Sequence, residues 1–338
     1  MTSRGRGVCK VVIVVFVAVV SAVFADGGGA GGAERASTST VRSAAPAASA
    51  RVSVVDARWT LTSPVAREVV VRSGARFTVV GGLDATKFST ASIVSVDPAS
   101  GRSRPAGTLT EAVHDAAGVR DGTRILVFGG GGPSENGTAA VQAVAAGGAT
   151  TNVGALPGPR SDLVAARVGR STYVFGGYDG AAIVPDILRT TDGTTFTKVG
   201  TLPVPVRYPA IAVVGRSVYL FGGVSNSERG IDTADVQRFD TATGAIDMVA
   251  KLPTSLSHAS AMVLRGHVYL LGGYIDNTTL SSQVLAFDPA TGSSSSVGTL
   301  PAAVSDAAAV VIGRRGYLVG GQGTDRAPRA TVTIVTAR

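Results

Sequence analysis

Six short apolar segments, each ending in a pair of glycines, recur along the chain between more polar stretches. Each segment has the length and composition of a buried β-strand. Successive glycine pairs are 46 to 50 residues apart, which is the period of a repeated unit built from several strands. The segments are FTVVGG, ILVFGG, TYVFGG, VYLFGG, VYLLGG and GYLVGG, and they end at Gly82, Gly130, Gly177, Gly223, Gly273 and Gly321.

The fifth unit shows how one repeat is expected to fold. An apolar run over 258–264 is joined by a turn at Arg265 and Gly266 to the segment HVYLLGG, so the two predict a hairpin. After a polar loop, a third strand over 283–288 leads through a DPATG turn into a more polar fourth strand. Apolar inner strands with a polar outer strand suit a sheet packed between two neighbours, as in one blade of a β-propeller.

The units resemble kelch repeats. The shared features are the strand before the glycine pair, a V-x-x-F-D strand and a Leu-Pro pair before the next unit, and the similarity covers about residues 53–338. The resemblance implies an all-β fold, a six-bladed kelch-type β-propeller of the galactose oxidase and kelch-like superfamily. Only one strand, over 330–335, follows the last glycine pair, and one strand over 54–61 precedes the first hairpin. We therefore expect the ring to be closed by an N-terminal strand that completes the last blade.

The N-terminus has the pattern of a secretory signal. Three basic residues precede a run of 14 residues over 11–24 that is apolar except for Ser21, and the small residue Ala25 follows. A membrane-spanning helix would need about 20 apolar residues. We predict a signal peptide over 1–25, a flexible Gly/Ala/Ser-rich leader over 26–50 and the propeller over 51–338. The excess of arginine over lysine is typical of a GC-rich bacterial genome, so we expect a secreted, extracellular bacterial protein with no membrane contact after cleavage.

Charge and cysteine content narrow the classes of function. The net charge is +8, but the arginines are spread over all the repeats without a basic stripe or stacking aromatics, so we expect no nucleic-acid partner. The single cysteine, Cys9, lies inside the predicted signal peptide. The mature chain would therefore have no disulfide, no thiol nucleophile and no thiolate metal site.

The candidate ligand site is the rim where first strands begin and second strands end, because both ends lie at the same edge of each hairpin. In kelch-like propellers this mouth is where ligands usually bind. Polar residues that differ from blade to blade stand there, although such residues also commonly bond only to a turn or to buried water. The candidates are Arg67, His114, Asp115, Asp162, Arg207, Tyr208, His258 and Asp306, with Tyr178 and Asn277 from the loops after the glycine pairs.

A calcium ion is the metal that this rim could hold, between Asp115, Asp162 and Asp306. These three residues lie in blades two, three and six, without the close spacing of a dedicated metal-binding loop. We therefore assign no metal and no cofactor.

Two classes of function fit these features best. The sequence has no compact acid–base constellation or nucleophile motif, which favours a monomeric binding or interaction module for a protein, peptide or glycan.

The resemblance also implies enzymes, because the superfamily includes copper-radical galactose oxidases and six-bladed sialic-acid mutarotases. The oxidases need a tyrosine joined to a cysteine, which the mature chain lacks. A mutarotase-like epimerase needs only an acid and a base beside a sugar ring, so it stays as the alternative. Nothing in the sequence selects a third class, a surface adhesion module.

Overall fold

The computed structural model describes residues 51–133, 137–226 and 230–338. Every regular element in these residues is a β-strand, and no helix among them could cross a membrane. The signal peptide predicted over 1–25 and the leader predicted over 26–50 lie outside the described residues.

Most of the strands form six antiparallel sheets of four strands each, which we number in chain order. The first strand of the described residues is β1 (Val52–Asp56). Sheet 1 holds β2 (Val69–Ser73), β3 (Arg76–Val80), β4 (Ser92–Val96) and β5 (Ser103–Thr108). Sheet 2 holds β6 (Ala117–Asp121), β7 (Arg124–Phe128), β8 (Ala140–Val144) and β9 (Thr150–Ala155). Sheet 3 holds β10 (Val164–Val168), β11 (Ser171–Phe175), β12 (Asp186–Thr190) and β13 (Thr197–Thr201).

The next two sheets carry short extra strands in the loop after the second strand. Sheet 4 holds β14 (Ala210–Val214), β15 (Ser217–Phe221), the short pair β16 (Val224–Asn226) and β17 (Ile231–Asp232), then β18 (Asp235–Asp240) and β19 (Ile246–Lys251). Around sheet 5 come β20 (Leu256–Ser257), β21 (Ser260–Leu264), β22 (His267–Leu271), β23 (Tyr274–Ile275), β24 (Thr279–Leu280), β25 (Gln283–Phe287) and β26 (Ser294–Thr299). Sheet 6 holds β27 (Ala308–Ile312), β28 (Arg315–Val319) and β29 (Val332–Ala337), together with β1.

The loop over 274–281 differs from the sequence expectation of an unpaired polar segment. Its strands β23 and β24 form a small sheet with β20, in which Leu256 pairs with Ile275. Both side chains pack in the apolar cluster between sheets 4 and 5. The loop is therefore ordered by two apolar residues that lie 19 positions apart in the chain.

The first strand of each sheet, which we call its inner strand, contacts the inner strands of two other sheets. The contacts run from sheet 1 through to sheet 6, and β27 of sheet 6 contacts β2 of sheet 1. The core is divided in the same way into six apolar clusters, each of which combines residues of two neighbouring sheets. Phe128 of sheet 2, for example, packs in one cluster with Val174 and Leu188 of sheet 3. Each sheet is therefore stabilised mainly by its neighbours.

Strand β1 lies at the outer edge of sheet 6. It pairs antiparallel with β29, from Val52 opposite Ala337 to Asp56 opposite Thr333. The strand ends at Asp56, earlier than the sequence suggests. The chain beyond it stays bound because Leu61 N–H donates to the carbonyl of Ala330 at 2.8 Å. The outermost strand of the last sheet is therefore supplied by the N-terminal end of the domain.

The glycine pairs join neighbouring sheets. The second glycine of each pair donates its N–H to a backbone carbonyl at the entrance to the next sheet, as Gly223 does to Leu256 at 2.7 Å. The first glycine has φ between 58° and 63° in all six pairs, and a Cβ there would lie under 3.0 Å from that same carbonyl oxygen. Only glycine satisfies both the backbone conformation and the close approach.

Replacing Gly222 with alanine is expected to destabilise the fold by about 3 kcal/mol, because the new Cβ would meet the Leu256 carbonyl in addition to the strain of a positive φ. Gly215→Ala is the matched control, since Gly215 has the same φ of 61° but nothing within 4 Å of an added Cβ. The control should cost only about 1 kcal/mol. Urea unfolding of the two variants measures the difference, and equal losses would show that the close approach contributes nothing.

Candidate functional site

Six residues, one at the entrance to each inner strand, form a closed ring of backbone hydrogen bonds. Each N–H donates to the carbonyl of the corresponding residue in the preceding sheet, at 2.8 to 3.1 Å. The ring closes because Arg67 N–H donates to the carbonyl of Asp306 at 2.8 Å. We call these six residues the mouth ring: Arg67, Asp115, Asp162, Tyr208, His258 and Asp306.

All six mouth-ring residues have a left-handed backbone, with φ between 52° and 61°. This conformation costs an ordinary residue about 1 to 3 kcal/mol, and glycine would avoid much of that cost. The ring nevertheless contains no glycine, and its six side chains are of four kinds: three aspartates, an arginine, a tyrosine and a histidine. Retention of strained, chemically different side chains at one place is typical of a functional site.

The mouth-ring side chains line a pocket of about 120 Å³. One guanidinium nitrogen of Arg67 lies 2.9 Å from Asp115 Oδ2, and its Nε lies 3.7 Å from Asp306 Oδ1. The Tyr208 hydroxyl donates to the same Asp115 oxygen at 3.2 Å. The Tyr208 ring stacks on the His258 ring, with centroids 3.9 Å apart. The pocket therefore combines a cation, carboxylates and a stacked aromatic pair.

Burial sets the charge states in this pocket. It raises the pKa of Asp115 to about 6 and that of Asp162 to about 6, so both remain mostly ionised at pH 7. Burial also lowers the pKa of His258, which is therefore neutral at pH 7. Burial alone would lower the pKa of Arg67, but the charges of Asp115 and Asp306 outweigh it and keep the guanidinium protonated.

The His258 ring is held by a hydrogen-bonded chain behind the pocket. Ser257 Oγ donates to Asp232 Oδ2 at 2.9 Å and lies 2.9 Å from His258 Nδ1. Because the single serine proton goes to the carboxylate, Nδ1 carries the imidazole proton and donates to Ser257. The unprotonated Nε2 is 4.0 Å from Asp306 Oδ1 and can accept a hydrogen bond from a ligand.

Three further candidates surround the mouth ring without lining the pocket. His114 Nε2 lies 3.8 Å from Asp115 Oδ2, and its Nδ1 is 2.8 Å from Ser89 Oγ. A guanidinium nitrogen of Arg207 lies 3.3 Å from Asp162 Oδ2. The Arg207 guanidinium also stands over the Tyr178 ring, 4.9 Å from its centroid. These residues support the ring carboxylates from outside.

Asn277 lies apart from the pocket. Its Oδ1 accepts a hydrogen bond from the backbone N–H of Asp232, so the residue ties a loop of sheet 5 to a loop of sheet 4. Its own backbone is left-handed, with φ of 65°. In this structure Asn277 is a loop-bridging residue.

Glu68 belongs to the pocket although the sequence interpretation passed over it. It is only 7% exposed, it lines the pocket, and neither carboxyl oxygen makes a hydrogen bond within the described residues. Burial raises its pKa to about 8, and nearby backbone amides offset this only in part. A sequence signal was available, because the other five repeats have apolar residues at this position: Ala116, Leu163, Pro209, Ala259 and Ala307.

The ring carboxylates are neutralised by arginines. Arg67 lies between Asp115 and Asp306, and Arg207 pairs with Asp162. Within the part of the chain that the structure describes, no group of three His, Cys, Asp or Glu residues is arranged to hold a metal ion. The guanidinium of Arg67 thus stands where a cation shared by Asp115 and Asp306 would bind.

Comparison with known proteins matches one stretch of the chain. Residues 255–301 match the family described as Kelch motif, and this stretch contains the mouth-ring residue His258 and strands β20 to β26. No curated protein matches the chain. The matched repeat and the recurring four-stranded antiparallel sheets together fit a kelch β-propeller, and repeats of this kind typically mediate protein–protein interaction.

Proposed function

We propose that the protein is a secreted, monomeric, six-bladed kelch-like propeller that binds a protein, peptide or glycan ligand at the mouth ring. The observation that carries the proposal is that six polar side chains of four kinds meet at one pocket on a backbone frame common to all sheets. Because the Kelch motif suggests a protein-interaction module, a protein or peptide is the first ligand class to test.

Several contacts support a ring of six blades closed by the N-terminal strand. The inner strands contact one another in a cycle, and β1 completes a four-stranded sheet with β29. The glycine joint repeats between sheet 6 and the entrance to sheet 1, where Gly321 N–H donates to the carbonyl of Val65 at 2.9 Å.

The pocket chemistry suits a polar ligand that both donates and accepts hydrogen bonds. Asp162 and Asp306 offer acceptors, and Arg67 offers a cation that is held in place by Asp115. The Tyr208 and His258 rings give a flat surface against which a peptide side chain or a sugar ring can pack.

The sugar-epimerase alternative is not favoured by the comparisons, because the Kelch motif match describes an interaction repeat. Neutral His258 could serve as a base through its unprotonated Nε2. Anomer-exchange NMR on any sugar that binds is therefore the test of this alternative, and exchange accelerated by the protein would support it.

The triple variant Asp162→Asn, Tyr208→Phe and His258→Gln is expected to weaken ligand binding at least tenfold, because it removes the Asp162 charge, the Tyr208 hydroxyl and the His258 imidazole from the pocket while changing the side-chain volumes little. Tyr208→Phe keeps the ring that packs against residue 258. The probe is a peptide or glycan selected with the wild-type domain from arrays, and its affinity is measured by surface plasmon resonance.

The control for this experiment changes three exposed residues of the outer strands, as Lys198→Gln, Asp247→Asn and Ser295→Ala. It should bind as the wild type does, and both variants should melt within a few degrees of it. Unchanged affinity in the pocket variant would show that the ligand binds outside the mouth ring.

A further inference from the structure

The face opposite the mouth ring is formed by the six turns between first and second strands. Every one of these turns has two residues, such as 74–75 between β2 and β3 and 265–266 between β21 and β22. Every inner strand has five residues. Because strands of equal length start from one ring, the six turns end at one level. We call the surface that they form the turn face.

Arginine stands in or directly beside every turn of the turn face. The six turns with their flanking residues span 72–76, 120–124, 167–171, 213–217, 263–267 and 311–315. These stretches contain ten arginines and a single acidic residue, Asp121. The arginines appear scattered in the sequence because successive turns are almost fifty residues apart, and the repeat brings them to one face.

Some of these arginines are neutralised within the domain. Asp121 lies 2.9 Å from Arg124 and 2.9 Å from Arg167, and Arg76 lies 3.7 Å from Asp97. Six exposed arginines form no ion pair with another described residue, and they come from five of the six sheets. They are Arg72, Arg170, Arg216, Arg265, Arg314 and Arg315.

Acidic residues also stand in the outer turns, between third and fourth strands. The carboxylates of Asp192, Asp240 and Asp288 each accept a backbone hydrogen bond within their own turn. Four large apolar side chains are exposed among the described residues, including Phe88 and Met248, and all four lie outside the inner turns. The inner part of the turn face is therefore cationic, and in the part of the chain that the structure describes it exposes no large apolar side chain that could insert into a bilayer.

We propose that the turn face docks on the surface of a bilayer that carries anionic phospholipids. Turns that end at one level can place all six sets of arginines on a plane at once, whereas a linear polyanion would follow only part of the ring. Each basic residue near such a surface strengthens binding by about fivefold, and the attraction is screened by salt. This docking is peripheral, and it leaves the mouth ring facing away from the lipid. It departs from the sequence expectation of no membrane contact after signal cleavage.

The test is co-sedimentation of the full chain with vesicles of phosphatidylcholine alone or with phosphatidylglycerol added. The variant changes Arg170, Arg216, Arg265 and Arg314 to glutamine. The matched control removes the same charge from exposed arginines elsewhere, by changing Arg58, Arg104, Arg189 and Arg326 to glutamine. The apolar segment over 11–24 and its basic neighbours are present in all three proteins, so the comparison between variants isolates the turn face.

The wild type and the control should bind the anionic vesicles with similar affinity at low salt and be released by 0.5 M NaCl. The turn-face variant should bind at least about tenfold more weakly. An equal loss in the control would show that only net charge matters and would overturn the proposal. Tighter binding of the wild type to soluble polyphosphate or duplex DNA than to vesicles would overturn it in favour of a polymer. Failure of ligand binding at the mouth ring would leave it unaffected.

Discussion

Deletion of residues 51–62 is expected to unfold the whole domain. Strand β1 covers the edge of β29 along five residue pairs, and Leu61 belongs to the cluster between sheets 6 and 1. Removing the segment would expose the backbone of β29 and open two apolar clusters at once. Since the stability of a domain is about 5 to 15 kcal/mol, this loss is large enough to abolish folding at 37 °C. Circular dichroism and calorimetry of the truncated chain would measure it.

Two neighbouring valines of β1 provide a finer test that does not shorten the chain. Val54 packs in the cluster between sheets 5 and 6, whereas Val55 is 53% exposed. Val54→Asp should lower the free energy of unfolding by about 3 kcal/mol, because it places a carboxylate against apolar side chains. Val55→Asp should change it by less than about 1 kcal/mol. A truncated chain that melts like the full one, or equal effects of the two substitutions, would show that β1 does not hold the ring.

The Glu68→Gln variant is expected to be more stable than the wild type at pH 9 and equally stable at pH 4. The folded state raises the pKa of Glu68 from 4.5 to about 8, so it favours the protonated carboxyl. The stabilisation is complete below pH 4.5 and is lost as the pH rises to about 8. At about 1.4 kcal/mol per pK unit, the free energy of unfolding of the variant at pH 9 should exceed that of the wild type by on the order of 4 kcal/mol.

Urea unfolding of the two proteins at pH 4 and pH 9 measures this gain. It is the stability of the variant minus that of the wild type at pH 9, less the same difference at pH 4. Asp115 and Asp162, whose pKa values are also raised, and His258, whose pKa is lowered, titrate in both proteins and largely cancel. Glu111→Gln is the control, because Glu111 is exposed on the surface. A stability difference between Glu68→Gln and the wild type that does not change with pH would mean that folding does not raise the pKa of Glu68.

The sequence predicts those features of the fold that a single repeat contains. The segment HVYLLGG and the run after Gln283 both form strands within a residue or two of the expected bounds, because their apolar pattern and turn residues act locally. The small sheet of β20, β23 and β24 could not be predicted, since it depends on Leu256 meeting Ile275 across a loop.

The candidate site could be predicted as a set of positions but not as a geometry. Counting back from each glycine pair finds the six residues of the mouth ring. Their ion pairs cannot be predicted from the spacing, because the Arg67 side chain contacts Asp115 of the next sheet and Asp306 of the last one. The burial of Glu68 follows from its position directly after a mouth-ring residue, where the sheets meet around the pocket. The turn face forms only when six turns that are distant in the sequence come together in the fold.

The mouth ring has an electrostatic consequence for whatever enters the pocket. Its six hydrogen bonds run head to tail in one direction around the centre. Peptide dipoles that follow a closed circle cancel, whereas those of a helix add along its axis to favour an anion at one end. The ring amides and carbonyls are also used by one another. The ring backbone thus favours neither sign of charge on a ligand, and the ring side chains set that preference. A single side-chain substitution in the ring can therefore reverse the preferred charge while the backbone hydrogen bonds stay in place.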